Sequence, residues 1–396
     1  MSVVLVINSG SSSFKYQLVD TGSGSALASG LVERIGQDQG RAVHVDATGA
    51  ETERILPIPD HTAGFQVMLD AFAEHGPSLQ DVAPMAVGHR VVHGGARFFE
   101  PTVITPRVET DIEELAALAP LHNPGALQGI RAAERAFPDV PHVAVFDTAF
   151  HQTLAPAAYT YAIDRDLAET YRIRRYGFHG TSHKYVSAAA AAFVGGDRED
   201  LRQIVFHLGN GASVTAVRGG RSVETSMGMT PLEGLVMGTR SGDIDPAVLF
   251  TLARRASLTV ADLDELLNTR SGLKGLAGVS DMRDVLARAE AGDEAASLAF
   301  EVYIHRLRGY AGAYIAQLGG VDVISFTAGV GENNALVRRE AMATLGFAGV
   351  EIDERRNEAA GRGIRVISTD ESRVTVLVVP TNEELEIARQ TAQILP

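Results

Sequence analysis

Val4-Leu5-Val6-Ile7-Asn8-Ser9-Gly10-Ser11-Ser12-Ser13 is an apolar run that breaks into a turn of small polar residues, and Phe14-Lys15-Tyr16-Gln17-Leu18-Val19 returns from it with strand-like alternation. Val205-Phe206-His207-Leu208-Gly209-Asn210-Gly211-Ala212-Ser213 repeats the plan near the start of the second half, with Val214-Thr215-Ala216-Val217 as its return strand. One such hairpin says little, because Asn-Gly and Gly-Ser turns close many hairpins that hold no ligand. Two at equivalent places predict a duplicated domain. A third apolar run, Val321 to Phe326, enters Thr327-Ala328-Gly329-Val330-Gly331-Glu332-Asn333-Asn334 before a helical stretch from Ala335.

Around these hairpins strands alternate with amphipathic helices, the pattern of layered α/β architecture. The runs Val143 to Phe146, Ile204 to Leu208 and Val374 to Val379 read as buried strands. Asn123-Pro124 and Asp245-Pro246 each set an N-cap residue before a proline whose missing N–H costs nothing at the first helical position. Leu127, Ile130 and Phe137 follow the first at helical spacing; Val248, Leu249 and Leu252 follow the second. Thr381 and Glu384 fit a capping box ahead of a helix from Leu385 to Leu395, which leaves Glu383 free. No low-complexity linker interrupts the chain, and the alanine-rich stretch 188–192 suits a closely packed helix.

Length and composition bound the function. The 396 residues suffice for two or three domains, and 45% hydrophobic with 21% charged residues is globular usage. A net charge of −14 disfavours nucleic-acid and anionic-lipid partners, and no local basic patch offsets it. Without cysteine there is no disulfide, thiolate metal site or thiol nucleophile, which points to the cytoplasm. The run Val3 to Ile7 lacks a basic flank and falls short of the ~18 apolar residues of a membrane span, so it is expected to be neither signal peptide nor anchor. Only Lys15, Lys184 and Lys274 are lysines among 35 basic residues, and a retained lysine supplies a compact point charge that guanidinium cannot copy.

Several stretches carry chemistry. The small residues Gly10 to Lys15 and Gly209 to Ser213 offer amides and hydroxyls that can cradle phosphate oxygens, although both also read as plain turns. Neither matches the Gly-x-x-x-x-Gly-Lys-[Ser/Thr] loop. Arg90 in Gly88-His89-Arg90-Val91-Val92-His93-Gly94-Gly95 and Arg240 in Met237-Gly238-Thr239-Arg240-Ser241-Gly242-Asp243 sit among glycines, where a guanidinium can reach an anion that backbone also approaches; a solvated surface arginine is the alternative for each. Asp147 follows the strand ending at Phe146, the position at which open α/β sheets bind ligands; a turn or cap aspartate is the alternative. His179, between Gly177 and Gly180, reads either as a donor to developing negative charge or as a structural histidine, and His207 and His122 share the structural reading, His207 more strongly because it falls within an apolar strand. Glu383 at a helix start is either a magnesium ligand or a carboxylate favouring the helix dipole.

Taken in order, Asn8 to Ser13, Gly88 to Gly95, Arg175 to His183, His207 to Gly211, Thr239 to Asp243 and Thr381 to Glu384 resemble the acetate kinase family nearly end to end. The resemblance implies a duplicated two-domain, actin-like (ribonuclease H-like) ATPase fold with an interdomain nucleotide cleft. The expected domains are residues 1–149 with the C-terminal helix 383–396, and residues 150–382, which carry most nucleotide contacts. It implies phosphoryl transfer from ATP to acetate, giving acetyl phosphate and ADP. Asn8 and Glu383 would hold magnesium, or manganese in its place, and Lys15 would lie near the phosphates. Arg90 would bind the carboxylate, and Val92, Leu121 and Pro231 its methyl group. Asp147 would transfer a proton or act as an orienting charge, and His179 and Arg240 would stabilise the transition state. His207, Leu208, Gly209, Asn210 and Gly211 would contact phosphates. Asp281, Met282 and Arg283 with Gly329, Val330, Gly331, Glu332 and Asn333 would hold the nucleoside. A homodimer is implied. Propionate or butyrate as acceptor, and a nucleotide-gated switch without a small-acid substrate, are the rival readings.

Overall fold

The computed structural model describes residues 2–120, 122–195 and 199–395. The chain divides into two compact units, Met1–Phe150 with Asn382–Pro396, and His151–Thr381.

The first unit is built on strands β1 (Val3–Ser9), β2 (Ser13–Asp20), β3 (Ser25–Glu33), β4 (Gly40–Asp46), β5 (Glu51–Leu56), β6 (Ala86–Val91), β7 (Thr102–Val103) and β8 (His142–Phe146). They form one sheet in the order β5-β4-β3-β2-β1-β6-β8-β7. The opening hairpin is as expected: β1 and β2 pair antiparallel from Val3 opposite Asp20 to Ser9 opposite Phe14. β1, β6 and β8 then run parallel, so their carboxyl ends emerge side by side. Every residue of β8 is buried, as a strand covered on both faces should be.

The second unit repeats the plan with β9 (Arg202–Leu208), β10 (Ala212–Arg218), β11 (Arg221–Thr225), β12 (Val323–Thr327), β13 (Arg365–Val366) and β14 (Thr375–Val378). Their order is β11-β10-β9-β12-β14-β13. β9, β10 and β11 form an antiparallel meander, and β9, β12 and β14 run parallel. Each sheet thus has a hairpin strand leading into three parallel strands, with a short antiparallel strand beyond the third. The duplication read from the two hairpins is present as matching sheet topology.

Three local expectations are corrected. The C-terminal helix is Glu383–Gln393, capped by Asn382, whose Oδ1 accepts from the Leu385 amide. Thr381 takes no part in a capping box: its amide donates to Glu332 and its hydroxyl pairs with Ser182. Asn123 lies inside the helix Asn123–Ala136, because its side chain is drawn off to the backbone of His93, accepting from N–H and donating to C=O. The helix Ala247–Arg255 begins after Pro246, with Asp245 accepting from the Ala247 amide, and it buries none of its residues.

Helix packing fixes the first turn. A Cβ on Gly125 would lie 2.5 Å from the Gly10 carbonyl carbon, and one on Gly129 would lie 2.4 Å from the Ser9 Cβ. Two glycines one helical turn apart therefore let the helix Asn123–Ala136 rest directly on the Ser9 side chain and the Gly10–Ser11 backbone.

Candidate active site

In the first unit, the carboxyl ends of three parallel strands deliver the polar side chains. Asn8 is the penultimate residue of β1, Arg90 that of β6, and Asp147 follows β8 with its amide bonded to the Val91 carbonyl. Arg90 holds Asp147 by a two-point fork, Nε to Oδ1 at 3.1 Å and Nη2 to Oδ2 at 2.5 Å, and its Nη1 donates to Asn8 Oδ1 at 3.3 Å. Asp147 is 1% exposed. Glu383, first residue of its helix, brings Oε2 to 3.9 Å from Arg90 Nε. Lys15 stands directly opposite Asn8 in the β1–β2 register, so the two side chains share a face.

This cluster balances charge incompletely. Burial works against the Arg90 cation, but Asp147 and then Glu383 more than restore it, holding the guanidinium above its ordinary value. Burial pushes the Glu383 carboxyl up to about 7; Arg90 and Lys15 oppose the rise, and Asp147 and Glu384 add to it. Among the described residues no group of three His, Cys, Asp or Glu side chains is arranged to hold a metal. The donors present, an amide oxygen and carboxylates with ionisation of one suppressed by burial, fit a hard dication that keeps most of its waters.

The second unit brings His179, His207 and Arg240 together. His179 caps the helix Gly180–Val194 in a left-handed conformation, φ 55°. Gly177, at φ 76°, precedes it where a Cβ would meet Thr225 at 2.6 Å, so the turn presenting His179 requires glycine. The His179 ring stacks on His207 with centroids 4.1 Å apart. A Cβ on Gly211 would lie 3.5 Å from His179 Nε2 and 3.6 Å from Arg240 Nη1, so the space beside Gly211 is where both side chains converge.

Arg240 is unusual in its company. Its Nη1 donates to the Pro231 carbonyl at 3.1 Å, and no carboxylate pairs with it among the described residues. Burial lowers its pKa, as expected of a cation withdrawn from water without a counter-ion.

Next to the Gly209–Gly211 turn lies a cavity of about 610 Å³, within the range of small-molecule sites. Gly209, Asn210, Asp281, Met282, Arg283, Gly329, Val330 and Asn333 line it, joined by Gly238, Leu273, Ser280, Tyr303 and Asn334, which sequence reasoning missed. A Cβ on Gly238 would fall 2.0 Å from Asn210 Oδ1, so glycine there makes room for the Asn210 amide. Gly331 and Glu332 do not line the cavity. Glu332 Oε1 instead accepts from the amides of Ala328 and Thr381, bracing the short helix Ala328–Asn333. Asp281 caps its helix through the Arg283 amide and pairs with the Arg283 guanidinium; the Arg283 bond holds its carboxyl down to about 2.

The first amide of each turn is consumed internally: Gly10 donates to Ser13 and Gly209 to Gly211. Any cradling of phosphate falls to the amides and side chains that follow. Leu208 is wholly buried in β9, Val92 is half-buried in the first unit, and Pro231 is half-buried beside Arg240 in the second. Leu121 lies outside the described residues.

Two supporting arginines gave no short-range sequence signal. Arg175 donates to the carbonyls of Thr225, Ser226 and Met227 and to Glu233 Oε1 at 2.6 Å, fastening the segment that leads to Pro231. Tyr161 also bonds Glu233. Arg338, 1% exposed, donates to the carbonyls of Gly331 and Glu332 and to Asn357, closing the C-terminal end of the Ala328–Asn333 helix.

No helix among the described residues is long and apolar enough to cross a membrane. The chain is 68% identical over 391 residues to the acetate kinase of Clavibacter michiganensis subsp. michiganensis (strain NCPPB 382), covering 99% of this chain and 98% of that one. Its structure superposes on the crystal structure of Porphyromonas gingivalis acetate kinase with a TM-score of 0.96 at 44% identity, covering 100% of both chains. A propionate kinase from Francisella tularensis subsp. tularensis SCHU S4 gives a TM-score of 0.92 at 39% identity, again over 100% of both chains. A model of the Acetokinase family matches residues 3–389, and with these full-length similarities the chain belongs to that family.

Proposed function

We propose that this protein is an acetate kinase: it transfers the γ-phosphoryl group of ATP in line to a carboxylate oxygen of acetate, reversibly, giving acetyl phosphate and ADP. The observation that carries the reading is Arg240, a buried guanidinium without a carboxylate partner among the described residues, converging with His179 on the space beside Gly211 at the edge of a nucleoside-sized cavity.

The chemistry follows from the groups present. Acetate is already ionised at neutral pH, so attack on the γ-phosphorus needs no strong base. The new bond joins a carboxylate oxygen to phosphorus, the bond to the β–γ bridging oxygen breaks, and its electron pair leaves with ADP. Catalysis then rests on positioning and charge neutralisation. Arg90 binds the carboxylate while Asp147, gripped at both oxygens, fixes the guanidinium plane and acts as an orienting charge. Arg240 and a donor on His179 offset charge on the equatorial phosphoryl oxygens. Lys15, His207 and the 209–211 turn serve the phosphates, and Arg283 lines the cavity assigned to the nucleoside. Magnesium, when bound, neutralises phosphate charge; Asn8 and Glu383 would hold it, largely through its waters.

The assignment of the methyl contacts to Val92, Leu121 and Pro231 rests on the family resemblance. Propionate is the nearest alternative acceptor, because one methylene in an apolar pocket changes binding by only ~1 to 3 kcal/mol. A homodimer in the cytoplasm completes the proposal. Coupled ADP release with magnesium and ATP, with and without acetate or propionate, tests it: acid-dependent turnover fastest with acetate supports the reading, and turnover indifferent to acid refutes it.

A further inference from the structure

We infer that Ser213 and His183 form a hydrogen-bond relay that fixes the tautomer of His179, so that a neutral His179 presents Nε2–H to the space beside Gly211. Ser213 Oγ lies 2.9 Å from His179 Nδ1 and 2.7 Å from His183 Nε2. A serine hydroxyl has one proton and two lone pairs, and these two imidazoles are its hydrogen-bond partners among the described residues, so accepting from both would leave its own buried proton without an acceptor; it therefore donates to one and accepts from the other. The direction is decided at His183.

His183 is wholly buried, and its Nδ1 has no hydrogen-bond partner among the described residues. Burial, with His151 and His207 nearby, drives its pKa well below the ordinary value, so the ring is neutral and carries one N–H. A proton on Nδ1 would be a buried donor with no acceptor, the costlier kind of orphan; a proton on Nε2 is used at once on Ser213. His183 therefore donates, and Ser213 accepts and gives its own proton's bond to His179 Nδ1. With Nδ1 an acceptor, the neutral His179 ring holds its proton on Nε2, the nitrogen that lies 3.5 Å from where a Gly211 Cβ would stand. The opposite direction would leave Nε2 as a lone pair facing an anionic phosphoryl group, a repulsion in place of a hydrogen bond.

The relay gives the hydroxyl of Ser213, the second residue of β10 and fully buried, two partners in place of water. Both residues are positioning residues, acting through His179. Their catalytic consequence rests on the proposed role of His179, whereas the tautomer itself is independent of it.

The test reads the two separately. In protein carrying 15N-labelled histidine, with His179→Gln to assign the resonance, nitrogen shifts at pH 8 report which ring nitrogen holds the proton. The expected wild-type result is a pyrrole-type Nε2 and a pyridine-type Nδ1; the reverse pattern overturns the relay, and this measurement needs no variant of Ser213 to fold. Ser213→Ala should release the tautomer toward a mixture and lower kcat on the order of 10- to 100-fold with KM for ATP and acetate within about twofold, with Ser213→Thr restoring most of the loss. A Ser213→Ala enzyme with unchanged tautomer and unchanged kcat overturns the proposal. A shifted tautomer with unchanged kcat keeps the relay and removes His179 from the transition state.

Discussion

Arg90 and Asp147 meet through two parallel hydrogen bonds, 3.1 Å from Nε and 2.5 Å from Nη2, with the aspartate 1% exposed. A bidentate grip of this kind fixes the plane of the guanidinium as well as its place. The third guanidinium nitrogen, Nη1, is left with the long 3.3 Å bond to Asn8, the one contact that an incoming carboxylate could readily replace or share.

Asp147→Asn should therefore act through acetate. The amide keeps one acceptor but sets an NH2 against the guanidinium, so KM for acetate should rise and kcat fall, together on the order of 10²-fold in kcat/KM. Steady-state kinetics in both substrates checks this. An unchanged KM for acetate with kcat alone abolished would point to proton transfer instead.

Arg240→Ala should separate activity from stability. Because Arg240 is buried without a counter-ion, removing it relieves a desolvated charge, and the thermal midpoint should stay level or rise slightly. The same change should lower kcat by about 10²- to 10³-fold. Turnover near the wild-type rate would remove Arg240 from the mechanism.

The Gly125 contact makes a sharp contrast with Gly312. Gly125→Ala drives a methyl into the Gly10–Ser11 backbone, which should cost roughly 1 to 3 kcal/mol and displace the turn beside Asn8, lowering kcat/KM for ATP. Gly312 sits inside the helix Glu294–Leu318, and an alanine methyl there would meet nothing within 4 Å, so Gly312→Ala should stabilise by up to about 1 kcal/mol. Urea unfolding of both variants decides it; equal effects would show that the close approach is not tight.

The buried histidines predict acid sensitivity. Burial pushes His151 down to about 4 from an ordinary 6.5, opposed by its bond to the Phe178 carbonyl and aided by Arg175. Between those values the unfolded chain binds the proton and the folded chain does not, so this contribution is full above 6.5 and is lost as pH falls toward 4. His89 and His183, both well below their ordinary value, act in the same direction. Urea unfolding of His151→Gln at pH 7 and pH 5 should show a smaller drop between the two than the wild type shows; an equal drop would place the acid sensitivity elsewhere.

Much of the fold was legible because turn chemistry and alternation are local. The hairpins at Asn8–Ser13 and Leu208–Ala212 and the buried strand before Asp147 needed only neighbouring residues to be read, and they place Asn8, His207 and Asp147 at strand ends. What failed was set by tertiary partners. Thr381 and Asn382 are both good caps, and the choice fell to Asn382 because Glu332 and Ser182 claim Thr381. Asn123 was lost as a cap to the His93 backbone, far away in sequence. Arg175 and Arg338 were invisible in a chain whose basic residues are nearly all arginine, since what marks them is the carbonyls they reach. The pair Gly125 and Gly129 did offer a signal: two glycines four apart inside an apolar helical pattern mark a close backbone approach.

Phosphoryl transfer to a carboxylate leaves a product that hydroxylamine captures. Incubating the purified protein with magnesium, ATP, hydroxylamine and, separately, acetate, propionate, butyrate or no acid traps any acyl phosphate as its hydroxamate. Acid-dependent hydroxamate, with acetate the fastest, is the predicted result; ATP binding without hydroxamate from any acid would contradict it.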